Sequence, residues 1–573
     1  MHTAIHITHE AAKKIGGIGS VLSGICTSES YLKFYDKTYF YGPLFDDNID
    51  QKDRLGSNAK ILFSSLDKIY NSSYDNEFNE LIERYHIDLV YGQKIIFDEI
   101  HPEKKSTIEI ILLGIKNIRK DLLDIFKFQL WEIFKFNCQL YETDWDFEQY
   151  LRIALPLRSI LSIVSPNSSA IDYFSHEYMG VCSCLSILKD KKANERLFFY
   201  AHEVSTARVI VESHQGHDIS FYNILQKDLG KLSLEERFGS QKHNSRNELI
   251  KYAKYFDKIF AVGNWVEKEY KYLVPDTEPQ KIIITYNGIP INEIDYQHKL
   301  ESRAKIQQYC NNLFNFTPDI IMTHVTRLVI SKGLWRDISL LEQLDKYFHD
   351  NHLKGFFILL SSQIGTGRES SDIYKMEDNY GWPIWHKENW PDLVGYENDI
   401  FWSVNYFNAK SKNIKAVFIN QFGFTQEQTG QRIPEDTKFS DLRIASDAEF
   451  GMSIYEPFGI AQIETVPYGG IAVLSRACGS SFLLENVWNK SQDKPFHIID
   501  FAGNSSYSKD YFHLNSDERT LIEKEILKKE AKSIFNKLPK TDNDRKKLFE
   551  VCINLSSGLE WESISKNIFK EDL

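Results

Sequence analysis

Short runs of apolar and aromatic residues recur along the chain, separated by longer stretches whose apolar positions fall at helical spacing. Ala4–Thr8, Asp88–Tyr91, Ala170–Ser175, Leu197–Ala201, Lys258–Val262 and Ile282–Thr285 form a first series. Runs of this length, hydrophobic at nearly every position, predict buried parallel strands joined by crossover helices. A second series begins after Thr317-Pro318 with Asp319–Val325 and continues through Phe356–Leu360, Lys415–Asn420, Met452–Ile454, Ile471–Ser475 and Phe496–Asp500. The pattern predicts two successive α/β domains.

The first domain is expected over residues 1–295, closing where a strand meets the turn residues Asn287-Gly288-Ile289-Pro290. The polar stretch from there to about Arg303 reads as a linker and hinge. Thr107 to Leu140 has helical apolar spacing and reads as a helical excursion from this domain. The second domain is expected over 304–540, with 363–413, rich in Trp, Asn and Asp, as a loop-rich insertion. Asp517–Leu538 reads as an amphipathic helix capped by Ser516 or Asp517 and stopped by Pro539. Residues 541–573 complete the chain as a helical segment.

Composition agrees with two cores and removes several function classes. A chain of 573 residues with 42% apolar content outgrows a single core. Against 80 acidic side chains stand 68 basic ones, and the net charge of −12 repels phosphate backbones and anionic lipid, so neither nucleic acid nor membrane is an expected partner. The seven cysteines, at 26, 138, 182, 184, 310, 478 and 552, lack the spacing of a zinc or redox site and read as buried small hydrophobes in a reducing compartment. The N-terminus lacks the basic start and apolar run of a secretory signal, and Leu151–Val164 is too short and too charged to span a bilayer. A soluble, cytoplasmic protein is expected, compatible with a homo-oligomer.

The sharpest chemistry lies in Tyr455-Glu456-Pro457-Phe458-Gly459-Ile460-Ala461-Gln462-Ile463-Glu464, where two carboxylates eight apart flank a Pro-Phe-Gly turn. A helix starting near Gly459 would aim its free N–H groups and positive dipole end into a crevice at a strand's carboxyl end. Glu456 and Glu464 could then each accept hydrogen bonds from paired hydroxyls. The spacing fits an ordinary strand–turn–helix with two solvated acids equally well. A second constellation, Thr326-Arg327-Leu328-Val329-Ile330-Ser331-Lys332-Gly333, follows a predicted strand. Arg327 and Lys332 can converge on a diphosphate, the first as a fork and the second as a point charge, although most such pairs are solvated loop cations.

The first strand is followed by Glu10-Ala11-Ala12-Lys13-Lys14-Ile15-Gly16-Gly17-Ile18-Gly19, whose glycines let backbone N–H groups approach a ligand, although the spacing is not that of a dinucleotide fingerprint. Two histidines end neighbouring predicted strands, in Ser175-His176-Glu177 and in His202 followed six residues later by Arg208. A lone histidine there is more often structural than catalytic.

These elements, taken together and in order, resemble those of the glycogen and starch synthases, in motif style the animal, fungal and related bacterial glycogen synthases. YEPFGIAQIE is similar to the Glu-x7-Glu signature of retaining GT-B glycosyltransferases, TRLVISKG to the family's Arg-Leu-x-x-x-Lys-Gly element, and EAAKKIGG to its Glu-x-x-x-Lys-x-Gly-Gly opening. The resemblance implies a GT-B fold, two Rossmann-like domains with a cleft between them and a C-terminal helical segment. It implies glucose transfer from UDP- or ADP-glucose to the end of an α-1,4-glucan, with the nucleotide-sugar held mainly by the second domain and the glucan by the first. By that resemblance His202, Arg327, Lys332 and Glu456 are catalytic. Lys14, Gly16, Gly17, Arg208, Asn287, Phe458, Gly459 and Glu464 bind the donor, and Glu177 lies near the sugar or acceptor. It implies no metal and no other cofactor. Another retaining GT-B enzyme with a different acceptor, and a catalytically silent glucan-binding homologue, are the alternatives.

Overall fold

The computed structural model describes residues 1–490, 493–503 and 510–570. The chain forms two compact units, the first from Met1–Ala207, Asp228–Pro290 and Trp561–Leu573, the second from Arg208–Lys227 and Ile291–Glu560.

The first unit is built on β1 (His2–Ile7), β2 (Lys37–Pro43), β3 (Ala59–Ser64), β4 (Ile69–Tyr70), β5 (Asp88–Phe97), β6 (Lys105–Gly114), β7 (Ala170–His176), β8 (Glu195–Ala201), β9 (Lys258–Ala261) and β10 (Ile282–Ile284). They lie in one sheet in the order β10-β9-β8-β7-β1-β2-β6-β5-β3-β4. Neighbours from β10 through to β6 run parallel, and β5, β3 and β4 extend the sheet with antiparallel pairings. Sequence order reverses between β1 and β7. Loops leaving the carboxyl ends of those strands therefore open at a topological switch point, the place where open α/β sheets bind ligands.

The second unit carries β11 (Ile320–Val325), β12 (Gly355–Leu360), β13 (Ile414–Ile419), β14 (Ala448–Gly451), β15 (Ile471–Ser475) and β16 (Phe496–Ile499). Their order, β13-β12-β11-β14-β15-β16, with every pairing parallel, is the 3-2-1-4-5-6 arrangement of a Rossmann sheet. Both faces are buried. Ile320, Met322, Phe357 and Leu359 face a core shared with helices Leu334–Asp350 and Ser516–Lys537. Ile321, Phe356, Ile358 and Val417 face a second core shared with helix Tyr296–Phe314. Burial on both sides explains why these strands read as unbroken apolar runs.

Several sequence expectations need correction. The stretch expected as a helix from Thr107 starts instead inside β6, and a helix follows only over Lys120–Phe134. The run IEIILLG is apolar at nearly every position, and without alternation a buried strand and a buried helix look alike. The expected linker before Arg303 is already the helix Tyr296–Phe314, capped by Asp295. Residues 363–413 contain the helices Ser370–Tyr380 and Glu397–Lys410 rather than loop alone. The cap of helix Ser516–Lys537 is Asn515, whose side chain accepts from the N–H groups of Asp517 and Glu518. The terminal helical segment is shared out, Asp542–Ser556 to the second unit and Trp561–Ile568 to the first.

All seven cysteines are buried and unpaired. Among the described residues no helix is long and apolar enough to cross a membrane.

Candidate active site

In the second unit the sheet order reverses between β11 and β14, and the two motif loops leave these strands by their carboxyl ends. The loop after β11 turns through a short 3₁₀ segment, Ile330–Lys332, into Gly333 at φ +63°. A Cβ at Gly333 would lie 2.7 Å from the Met452 carbonyl oxygen, so only glycine lets this loop approach the one after β14 so closely. Backbone bonds then join the loops: the Ser331 carbonyl accepts from the N–H groups of Ile454 at 2.8 Å and Tyr455 at 3.2 Å.

This stitching brings Lys332 and Glu456 together. The Lys332 ammonium pairs with Glu456 Oε2, and Gln462 Nε2 donates to the same oxygen at 3.3 Å. Both charged side chains are nearly buried, 11% and 12% exposed. The Glu456 carbonyl accepts from Gly479 N–H at 2.9 Å, which anchors the loop to the segment after β15. Gly459 sits at φ +89°, and a Cβ there would meet Cys478 Sγ, Gln462 Oε1 and Glu456 Cγ at 2.7–2.8 Å. Phe458 is buried beside it. Arg327, at the mouth of the β11 loop, is exposed and its guanidinium makes no hydrogen bond or ion pair with a described residue. An unpaired guanidinium and a half-sequestered ammonium at a switch point are equipped to receive a diphosphate.

The helix expected from Gly459 does not form. Two 3₁₀ turns, Ala461–Ile463 and Val466–Tyr468, take its place. Pro467 lies in the second turn, where its missing N–H would take one bond from a helix continued through both. Glu464, expected within that helix, lies between the two turns and pairs with Arg443 at 2.7 Å. The strand expected at Met452–Ile454 is also displaced: it is β14, Ala448–Gly451. Its polar residue Glu449 is fully buried, held by Arg443 at 3.1 Å, by Thr323 Oγ1 and by the Val325 N–H at 2.8 Å. A compensated buried charge made a core strand look like a loop. Arg208, in the same unit, places its guanidinium 5.5 Å from the centre of the Tyr455 ring.

In the first unit the loop after β1 is organised by Glu10, which is 4% exposed. Its Oε2 accepts from the N–H groups of Ile15 at 2.6 Å, Gly16 at 2.7 Å and Gly19 at 3.1 Å. Gly16 and Gly17 then open the helix Gly17–Cys26, and a Cβ on Gly17 would meet nothing. Lys14 is exposed and pairs with Glu99. The loop borders a cavity of about 570 Å³ lined also by Lys13, Lys94 and Asp98. Lys94 donates to the Ala12 and Leu55 carbonyls at 2.6 and 3.2 Å, and burial and the neighbouring Lys13 lower its pKa.

Glu177 follows β7 in a left-handed conformation, φ +58°, with Oε1 accepting from Glu203 N–H at 2.6 Å. Strain of this kind in a non-glycine residue concentrates at functional sites. His202 follows β8 and bonds to His176 at 2.9 Å. Its pKa is lowered to about 3, chiefly by burial and further by His9, so the imidazole is neutral. Asn287 is buried, and its Oδ1 has no partner among the described residues. Gly288 packs against Trp561.

No protein-family model and no curated protein matches the chain. Solved structures do. The catalytic domain of starch synthase IV from Arabidopsis thaliana, bound to ADP and acarbose, superposes with a TM-score of 0.50 at 13% identity, over 99% of this chain and 97% of that one. An α,α-trehalose-phosphate synthase (UDP-forming) from Burkholderia xenovorans, in complex with glucose-6-phosphate, gives 0.50 at 12% identity, over 100% and 99%. The fold is GT-B. At such identities the likeness concerns fold, and chemistry has to be argued from side chains.

Within that fold, the sequence motifs fall at the carboxyl ends of strands, Arg327, Lys332, Glu456, Phe458, Gly459 and Glu464 in the second unit and Lys14, Gly16, Gly17, Glu177, His202 and Asn287 in the first. Sequence reasoning missed the residues that hold them. Gln462 supports Glu456, Arg443 supports Glu464, Glu10 ties the glycine loop, and His176 supports His202. Glu10, Gln462 and His176 lie inside quoted motifs, and their proximity to a glycine loop, a Pro-Phe-Gly turn and a strand end was the available signal.

Proposed function

We propose that the protein is a retaining glycosyltransferase that moves glucose from UDP- or ADP-glucose to the non-reducing end of an α-1,4-glucan, as glycogen and starch synthases do. The observation that carries this reading is the placement of Arg327, Lys332 and Glu456 on the two loops at the switch point of the second sheet. As the bond from the sugar's anomeric carbon to the diphosphate breaks, negative charge grows on the phosphate and positive charge on the sugar. Arg327 and Lys332 stabilise the first through preorganised cationic contacts. Glu456 accepts hydrogen bonds from sugar hydroxyls, and its contact with Lys332 keeps both groups oriented until the donor arrives. Glu464 is suited to a ribose diol. The acceptor hydroxyl attacks from the face the diphosphate leaves, and its proton passes to a leaving phosphate oxygen, which gives retention.

In the first unit this reading gives His202, Lys14, Gly16 and Gly17 to the donor and Glu177 to the sugar or acceptor. The two solved neighbours were caught with different ligands, ADP and acarbose in one and glucose-6-phosphate in the other, so the acceptor is the part to be tested. Release of nucleoside diphosphate is measured with UDP- and ADP-glucose, each with glycogen and with glucose-6-phosphate. Glycogen-dependent release supports the reading. Release only with glucose-6-phosphate would replace the glucan by a sugar phosphate, and none with either would refute glucosyl transfer.

A further inference from the structure

The helix that follows β6, Lys120–Phe134, carries none of the motifs at the strand ends, yet it lines a cavity of about 670 Å³ in the first unit. Lys120, Asp124, Lys127, Phe128 and Trp131, which line it, share one flank of that helix at helical spacing. The rest of the lining comes from the turn beyond the helix and the 3₁₀ segment Cys138–Tyr141, through Asn137, Gln139 and Glu142. Phe136 joins the two and is buried against Tyr252 at 4.8 Å and Phe147 at 5.8 Å.

The protein's own contacts fix this shape. Lys127, 11% exposed, reaches from the helix to Glu142 at 2.9 Å and to the buried Glu148 at 2.7 Å. The Phe136 N–H donates to the Leu130 carbonyl at 3.3 Å.

Two features of the lining define what fits. Phe128 and Trp131 are large rings on adjacent turns, 60% and 48% exposed, and so offer uncovered apolar surface. Beside them stand polar groups with hydrogen-bonding capacity to spare. The side chains of Lys120, Asp124 and Gln139 make no hydrogen bond or ion pair with a described residue, and Asn137 uses only Oδ1, which accepts from the Gln139 N–H at 3.2 Å. The charges cancel, Lys120 and Lys127 against Asp124 and Glu142, so the cavity favours a ligand without net charge. An apolar segment would cover the polar groups without bonding them, at a cost. A pyranose ring meets both demands: its C–H faces cover aromatic rings, and its hydroxyls donate to carboxylate and amide oxygens and accept from amide and ammonium N–H groups. Ile125 and Ile133, exposed aliphatic residues of the same helix that a protein partner would cover, stand outside the cavity.

We propose that this cavity is a carbohydrate-binding site, separate from the strand-end loops, that holds a stretch of a neutral oligosaccharide, with Phe128 and Trp131 as stacking platforms and Asp124, Asn137 and Gln139 as hydroxyl partners. That the sugar is an α-glucan rests on the function proposed above; that it is a neutral sugar does not. A chain held there keeps its ends at a raised local concentration around the protein.

The test follows Trp131 itself. The full chain is made with fluorotryptophan, the Trp131 signal is assigned by its loss in Trp131→Phe, and maltoheptaose is titrated in by fluorine NMR. The Trp131 signal should shift saturably. Phe128→Ala, at an exposed position, should raise the sugar concentration needed by about tenfold, the size expected when one aromatic side chain no longer covers apolar surface. Gln139→Ala should raise it several-fold. Ile125→Ala, on the same helix but outside the cavity, should titrate as the wild type. A Trp131 signal unmoved by maltoheptaose, or one that titrates equally in Phe128→Ala, overturns the proposal. A signal that moves with protein concentration alone marks a second copy of the chain and overturns it too. Sugar binding at Trp131 in a protein that transfers no glucose would leave this site standing and remove the function, whereas glucosyl transfer with a Trp131 signal indifferent to maltoheptaose would do the reverse.

Discussion

Replacing Lys332 with alanine tests the pairing at the centre of the second unit. The carboxylate of Glu456, 12% exposed, would keep only Gln462 Nε2 at 3.3 Å among the described partners. At an ion-pair separation of about 3 Å and an effective dielectric of about 20, the gross attraction being removed is about 5 kcal/mol. Desolvation of the two groups opposes more than half of it, so stranding the carboxylate costs about 1–3 kcal/mol. Lys332→Ala/Glu456→Ala removes both charges and should cost less than the two single changes added, with a coupling of about 1–3 kcal/mol. Urea unfolding of the four proteins measures this. Turnover at saturating donor should fall in each single variant by roughly 10²–10³, the loss expected for one preorganised charge contact. Additive unfolding energies together with turnover within about threefold of wild type would refute the reasoning.

Gly459→Ala should cost about 2–4 kcal/mol in thermal unfolding, because a side chain at φ +89° also collides with Cys478, Gln462 and Glu456. Gly230→Ala, at φ +78° with open space around it, should cost only about 1–2 kcal/mol, and equal losses would show that the crowding is unimportant. Arg336→Met removes the buried guanidinium that holds Asp218 and Glu523 at 2.6–3.0 Å, leaving Glu523 its bond from Trp335 Nε1, and should destabilise by about 3–5 kcal/mol in the same assay. A loss below about 1 kcal/mol would mean the two acids find other partners. Glucose-6-phosphate should not activate the enzyme at limiting donor. In the late helix Asp542–Ser556 Arg545 is buried on Asp447 at 2.9 Å and its neighbouring exposed cations are Lys546 and Lys547, so that helix presents no exposed group of arginines to a sugar phosphate, and a several-fold rise in rate would refute the expectation.

The pattern of apolar runs located most of the parallel strands because they are buried on both faces and hydrophobic throughout, but it missed β2 and counted Asp88–Tyr91, which lies in the antiparallel β5, among them. It failed where burial was achieved by other means. β14 was misplaced because Glu449 is neutralised by Arg443 on the preceding helix and by Thr323 and the Val325 N–H, which lie far away in sequence. β6 was taken for helix because a fully buried strand has no alternation to betray it. A helix starting near Gly459 was weighed for the Pro-Phe-Gly turn, and two 3₁₀ turns stand there instead. Motif residues were legible one by one. Their partners were less so: Gln462 lies in the same motif as Glu456, but nothing local marks Arg443 as the partner of Glu464 twenty-one residues on.

The central claim is that the switch point of the second sheet takes a nucleoside diphosphate, and calorimetric titration of the full chain with UDP and with ADP tests it most directly. Saturable binding of at least one of them is predicted, weakened by about tenfold or more in Arg327→Ala, which removes an exposed guanidinium that forms no hydrogen bond or ion pair with a described residue. Binding unchanged in Arg327→Ala, or no binding of either nucleotide to the wild type, would contradict the account.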